Sequence, residues 1–69
     1  MNEIFEIKDD YIELIKLLKA TCLCETGGIA KIVVDDGLVE VNGETEYRKR
    51  CKIRKGDTVR FEGAIIQVK

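Results

Sequence analysis

Gly37 separates two stretches of sequence whose apolar residues recur with different periods, and that switch limits the possible folds more than any other feature. Before it, Tyr11, Ile15, Leu18 and Cys22 follow i, i+4, i+7, i+11, one face of a helix. Asp9 or Asp10 stands where a side chain caps the first turn. Ile12, Leu14 and Leu17 widen the apolar face, while Glu13, Lys16 and Lys19 lie largely opposite. A second helix is predicted from Thr26, whose hydroxyl is placed to cap the amide of Gly28 or Ile29. Ile29, Ala30, Val33 and Val34 supply its buried face, and Gly37 ends it in the left-handed conformation.

Beyond Gly37 the pattern alternates. Leu38–Val41 reads as a strand, and Asn42-Gly43 is a strong hairpin signal. Lys55-Gly56-Asp57 marks another turn. Thr58–Phe61 and Ala64–Val68 read as strands joined tightly through Glu62-Gly63, and Glu3–Ile7 as a short edge strand. The expected architecture is α+β: two N-terminal helices packed on a small, mainly antiparallel sheet.

A chain of 69 residues makes one domain, 1–69, near the lower size at which a single core suffices. No run approaches the roughly 20 apolar residues of a membrane span, and the acidic opening MNEIFEIKDD lacks the order of a secretory signal. A cytoplasmic location away from membranes is expected. Three cysteines without a histidine suit neither a disulfide scaffold nor a zinc site, so they are read as small, mostly buried apolar residues and no metal or cofactor is expected. With no histidine and no clustered acid pair, acid–base catalysis has little to work with. Glu25, Asp35 and Asp36 read as solvated surface, and the chain as no enzyme.

Charge carries the functional signal. The segment RKRCKIRK, residues 48–55, holds six of the twelve basic side chains and no acidic one; the remainder has six basic against thirteen acidic, a net of −7. Were residues 48–54 extended, Arg48, Arg50, Lys52 and Arg54 would project from one face about 6.6 Å apart, with Cys51 and Ile53 inward and Lys49 at the margin. Such a row repels itself and adds nothing to folding. Protection of a sheet edge needs only one or two lysines. A ladder of arginine forks suits phosphate oxygens of a polyanion, with Lys31 and Lys55 as possible extensions. Beside the strip, Tyr47 is either a half-buried packing residue or a platform for an unpaired base. Gly27 and Gly28 permit either close helix packing or a helix N-terminus open to phosphate.

The stretch from Thr26 through Ala30-Lys31 to Gly37 and Val39-Glu40-Val41-Asn42-Gly43 resembles the helix–turn–strand signature of S4-like RNA-binding domains. Lys55-Gly56-Asp57-Thr58-Val59 resembles that family's closing Gly-Asp turn, and the similarity spans essentially the whole chain. Arg48 to Ile53 narrows it to the small stand-alone bacterial YbcJ-like/YaaA-like family. The resemblance implies an S4-like (alpha-L motif) domain, and a ribosome-associated monomer that binds structured ribosomal or transfer RNA. By position, Thr26 matches the helix-start serine and Lys31 the basic residue after alanine. Gly27 and Gly28 depart from the family, where arginines often stand, which moves the expected phosphate contacts toward Arg48, Lys49, Arg50, Lys52, Arg54 and Lys55. The competing reading is a protein-interaction adaptor whose basic strip meets an acidic partner.

Overall fold

The computed structural model describes residues 2–69. In chain order the elements are β1 (Asn2–Phe5), β2 (Ile12–Glu13), α1 (Leu14–Ala20), α2 (Gly27–Asp35), β3 (Val39–Val41), β4 (Glu44–Thr45), β5 (Lys52–Ile53), β6 (Thr58–Phe61) and β7 (Ala64–Val68). The main sheet has the order β1-β7-β6-β3-β4, and β2 and β5 form a separate ribbon. All pairings are antiparallel except that of β1 with β7. The architecture is the α+β arrangement anticipated from the period switch.

Both tight hairpins form at the expected dipeptides. Asn42 and Gly43 take positive φ (52° and 86°), as do Glu62 and Gly63 (48° and 80°), which matches the twist of the flanking strands. The edge strand ends at Phe5, short of the expected Ile7. Ile7 is buried; its amide donates to the Lys69 carbonyl at 2.8 Å and the Lys69 amide to the Phe5 carbonyl at 2.9 Å, so main-chain bonding in the parallel sense carries on past the end of the strand.

The first helix is shorter than its periodicity predicts. Neither Asp9 nor Asp10 caps it; α1 begins at Leu14, with Glu13 extended (φ −69°, ψ 143°) and making no side-chain cap. The reason is tertiary. Ile12 and Glu13 pair with Ile53 and Lys52, which holds them out of the helix. Tyr11 therefore precedes the helix and Cys22 follows it at φ 62°, and both are exposed, contrary to their expected place on the buried face. Leu14, Ile15, Leu17 and Leu18 remain buried on the side α1 turns to the core. Thr21 closes the helix, its Oγ1 donating to the Leu17 carbonyl at 2.9 Å.

On α2, Thr26 Oγ1 accepts from the Ile29 amide at 3.1 Å, the cap expected from sequence. The buried stripe is narrower than expected: Ala30 and Val34 are buried and Val33 partly so, while Ile29 is exposed. Ile29 sits about 100° round the helix from Ala30, beyond the reach of the packing surface. Leu14, Leu17, Leu18, Val34, Val39, Ile53, Val59 and Ile66 form a solvent-free core between the helices and the sheet, and among the described residues no polar side chain is buried in it. Each large aliphatic there contributes about 1.5–3 kcal/mol of transfer free energy.

Candidate nucleic-acid interface

The basic segment is not one extended ladder. Only Lys52 and Ile53 are strand; Lys49 and Arg50 form a turn, closed by the Cys51 amide donating to the Arg48 carbonyl at 3.2 Å. That turn has a structural task. The carbonyl of Cys51 accepts from the Leu14 amide at 2.9 Å, and that of Lys49 from the Ile15 amide at 3.2 Å. The strip's own backbone thus satisfies amides of the first turn of α1 that no side chain caps. A straight strand could not deliver both carbonyls to one helix end.

Inward and outward positions follow from this. Ile53 is fully buried and Cys51 half-buried, as expected, and the six cations stay on the outside. They divide into two kinds. Arg48 is committed: its Nε and Nη2 donate to Glu46 Oε2 and Oε1, each at 3.1 Å, and its amide donates to Oε2 at 3.0 Å. These bonds hold the Glu46 carboxyl at about 2, well below its ordinary 4.5, with the Arg48 side chain the largest cause. Lys49 is committed too, its Nζ lying 3.1 Å from Asp35 Oδ2 at the end of α2. A cation there offsets the negative end of the helix dipole and the carboxylate added to it.

Arg50, Lys52, Arg54 and Lys55 are exposed and, among the described residues, paired with no carboxylate. Arg48, Arg50, Cys51 and Lys52 line a shallow hollow, so cationic groups surround a concave surface. Past β5, the Arg54 amide donates to Asp57 Oδ2 at 2.8 Å, and Gly56 takes φ 95° to complete the turn. Lys55 lies at this turn. Lys31 is exposed on α2, and no hydrogen bond or ion pair among the described residues joins it to the strip. The Thr26 hydroxyl oxygen is occupied as the α2 cap.

Three residues at this surface escaped the sequence pattern. Glu46 and Asp35 each take one cation out of the free set: Glu46 pairs with Arg48 two residues on, and Asp35 with Lys49 across the fold. Tyr11, read from its period as a core residue, stands beside Lys52 and Arg54, 5.0 Å and 5.9 Å from its ring centroid. Tyr47 is more exposed than a half-buried packing residue, at 62%, and its ring lies against Gly37.

Two short helices against a small, mainly antiparallel sheet make the α+β fold of an alpha-L motif domain. Residues 5–69 match the S4 domain family, and the chain belongs to that family. YbcJ of Escherichia coli (strain K12) is 48% identical over 61 residues, covering 88% of this chain and 87% of that protein. A YbcJ protein of Shigella flexneri matches to the same extent. The solution structure of E. coli YbcJ, described as revealing an alfaL motif involved in RNA binding, superposes with a TM-score of 0.73 at 45% identity, over 94% of this chain and 84% of that one.

Proposed function

We propose that this protein is a non-catalytic RNA-binding module that holds structured ribosomal or transfer RNA through phosphate contacts from Arg50, Lys52, Arg54 and Lys55. The observation that carries the reading is the division of the strip: two cations anchor the fold, and four are left solvent-facing without carboxylate partners among the described residues. Four like charges so gathered on an otherwise acidic chain cost folding energy and fit a polyanion. Membership of the S4 family and likeness to YbcJ, whose motif is described as involved in RNA binding, support RNA as that polyanion. The protein acts as a cytoplasmic, ribosome-associated monomer in this reading. Arg48, Lys49, Lys31 and Thr26 are secondary contacts, since each of the first two must leave a carboxylate to reach phosphate.

Affinity for transfer RNA and for ribosomal stem-loops, measured against salt, tests this. Four phosphate contacts to unpaired segments give a log–log slope of about −2.8, or roughly fifty-fold weaker binding between 50 and 200 mM salt. Changing Arg50 and Lys52 together to glutamine is expected to flatten the slope by about 1.4 while leaving the melting temperature in place. Absence of RNA binding by the native chain at 50 mM salt overturns the proposal, as does an unchanged slope in the double variant.

A further inference from the structure

We infer that Tyr11, whose ring Lys52 and Arg54 overlie, is a stacking platform for one unpaired RNA base, the two cations moving to the phosphates of the same nucleotide as the base takes the ring face. The inference rests on the RNA-binding reading above and adds a contact of a different chemistry. Three observations converge. The β2–β5 ribbon pairs Ile12 with Ile53, and continuing that register by one residue brings Tyr11 opposite Arg54. The Lys52 ammonium lies 5.0 Å and the Arg54 guanidinium 5.9 Å from the ring centroid, within cation–π reach. Both cations belong to the group of four without a carboxylate partner among the described residues.

Tyr11 as a residue is 39% exposed although Lys52 Nζ and Arg54 Cζ both lie over its ring, so it remains open to solvent. Its backbone lies outside α1, and Tyr11 and Ile12 help to line two shallow hollows. A core role does not explain it: Tyr11 lies outside the buried cluster that Ile12 packs against. An aromatic face flanked by positive charge is the arrangement that binds single-stranded nucleic acid, because every base presents a π-face and every nucleotide a phosphate. The ligand is an unpaired nucleotide in a loop or bulge; a base within a duplex is already stacked on both sides and cannot reach the ring.

The chain has two tyrosines and no tryptophan, so Tyr47→Phe leaves Tyr11 as the sole tyrosine emitter. Titrating that variant with a ribosomal stem-loop is expected to quench the emission, and an equally long blunt duplex is expected to leave it nearly unchanged. In the native background, Tyr11→Leu is expected to weaken stem-loop binding about ten-fold, with the salt slope unchanged and Tyr11→Phe close to native. A flattened slope in Tyr11→Leu would show that the ring merely places Lys52 and Arg54, and would overturn the stacking assignment. Equal quenching by duplex and loop, no quenching by bound stem-loop, or native affinity in Tyr11→Leu would each overturn it too. Should Tyr11→Leu fail to fold, the fluorescence experiment decides alone. If the native chain binds no RNA, both proposals fall together; if it binds and Tyr11 is silent, only this one does.

Discussion

Asn42 in the β3–β4 hairpin and Asp57 just after the basic segment are joined through their side chains: Asn42 Nδ2 donates to Asp57 Oδ1 at 3.1 Å. Each has a second bond to main chain. Asn42 Oδ1 accepts from the Thr58 amide at 2.9 Å, and Asp57 Oδ2 from the Arg54 amide at 2.8 Å. The β3–β4 hairpin is thereby tied to the turn that presents Arg54 and Lys55. Asn42 also tolerates its φ of 52° better than most residues. Asn42→Ala is expected to cost about 1–2 kcal/mol in urea unfolding, from two lost bonds and a less tolerant backbone. A loss within 0.3 kcal/mol of zero would show that the pair does not hold the turn.

Gly37 carries two constraints where Gly43 carries one. Both have positive φ, 74° and 86°. Only at Gly37 would a Cβ also meet a neighbour, the Tyr47 ring, with Oη at 3.0 Å and Cε1 at 3.1 Å. Gly43→Ala is expected to cost about 1 kcal/mol from backbone strain, and Gly37→Ala more. Adding Tyr47→Ala to Gly37→Ala should bring its penalty down to that of Gly43→Ala. A double-mutant cycle with no coupling would place the whole cost in the backbone.

The Glu46–Arg48 pair gives the fold a defined acid response. Folding lowers the Glu46 pKa from 4.5 to about 2, so the unfolded chain binds more protons in that window. The stabilisation is complete above pH 4.5 and is lost as the pH falls through about 2. Glu46→Gln is expected to give a shallower decline of stability with acidity between pH 5 and 2, measured by urea unfolding at each pH. The same variant frees Arg48, and is expected to bind RNA more tightly than Glu44→Gln, which removes an equal charge from an exposed residue of the same hairpin. Equal affinities would mean that Arg48 contributes nothing once released.

Thiol reactivity should follow burial. Cys22 is exposed; Cys24 is buried, and burial pushes its thiol pKa up. Cys51 is half-buried, with its pKa also raised by burial first and by its hydrogen bond with Glu46 next. Iodoacetamide at pH 8 is expected to modify Cys22 rapidly, Cys51 more slowly, and Cys24 only on unfolding. Mass mapping that finds Cys24 alkylated as fast as Cys22 would contradict the packing around the α1–α2 loop.

Local signals were read well where local chemistry decides. Asn42-Gly43 and Glu62-Gly63 form tight turns, Thr26 caps α2, and Gly37 ends it, because each depends on a few adjacent residues. The helix α1 starts later than its periodicity predicts because Ile12 and Glu13 are recruited by a strand some forty residues away, a competitor that periodicity cannot register. For the basic segment, alternation of Cys51 and Ile53 inward was legible; the turn at Lys49-Arg50 was not, since its purpose is to cap a distant helix. Composition located the cations. It could not separate Lys49 from the others, because Asp35 reaches it through the fold; Arg48 stands two residues from Glu46, a local pairing that a count of charges does not register.

The parallel pairing of β1 with β7 has a consequence for how the chain reaches this structure. Phe5 is in register with Val68, sixty-three positions later, whereas β3, β4, β6 and β7 join one another through turns or short excursions. Contacts closed over such a distance carry the entropy cost of a loop of some sixty residues. The expected order is hairpins first and β1 last, which pulse-labelled hydrogen exchange of the β1 and β6–β7 amides during refolding would check. Docking of β1 on β7 brings Phe5 against the core, whereas Ile4 stays exposed in the finished fold.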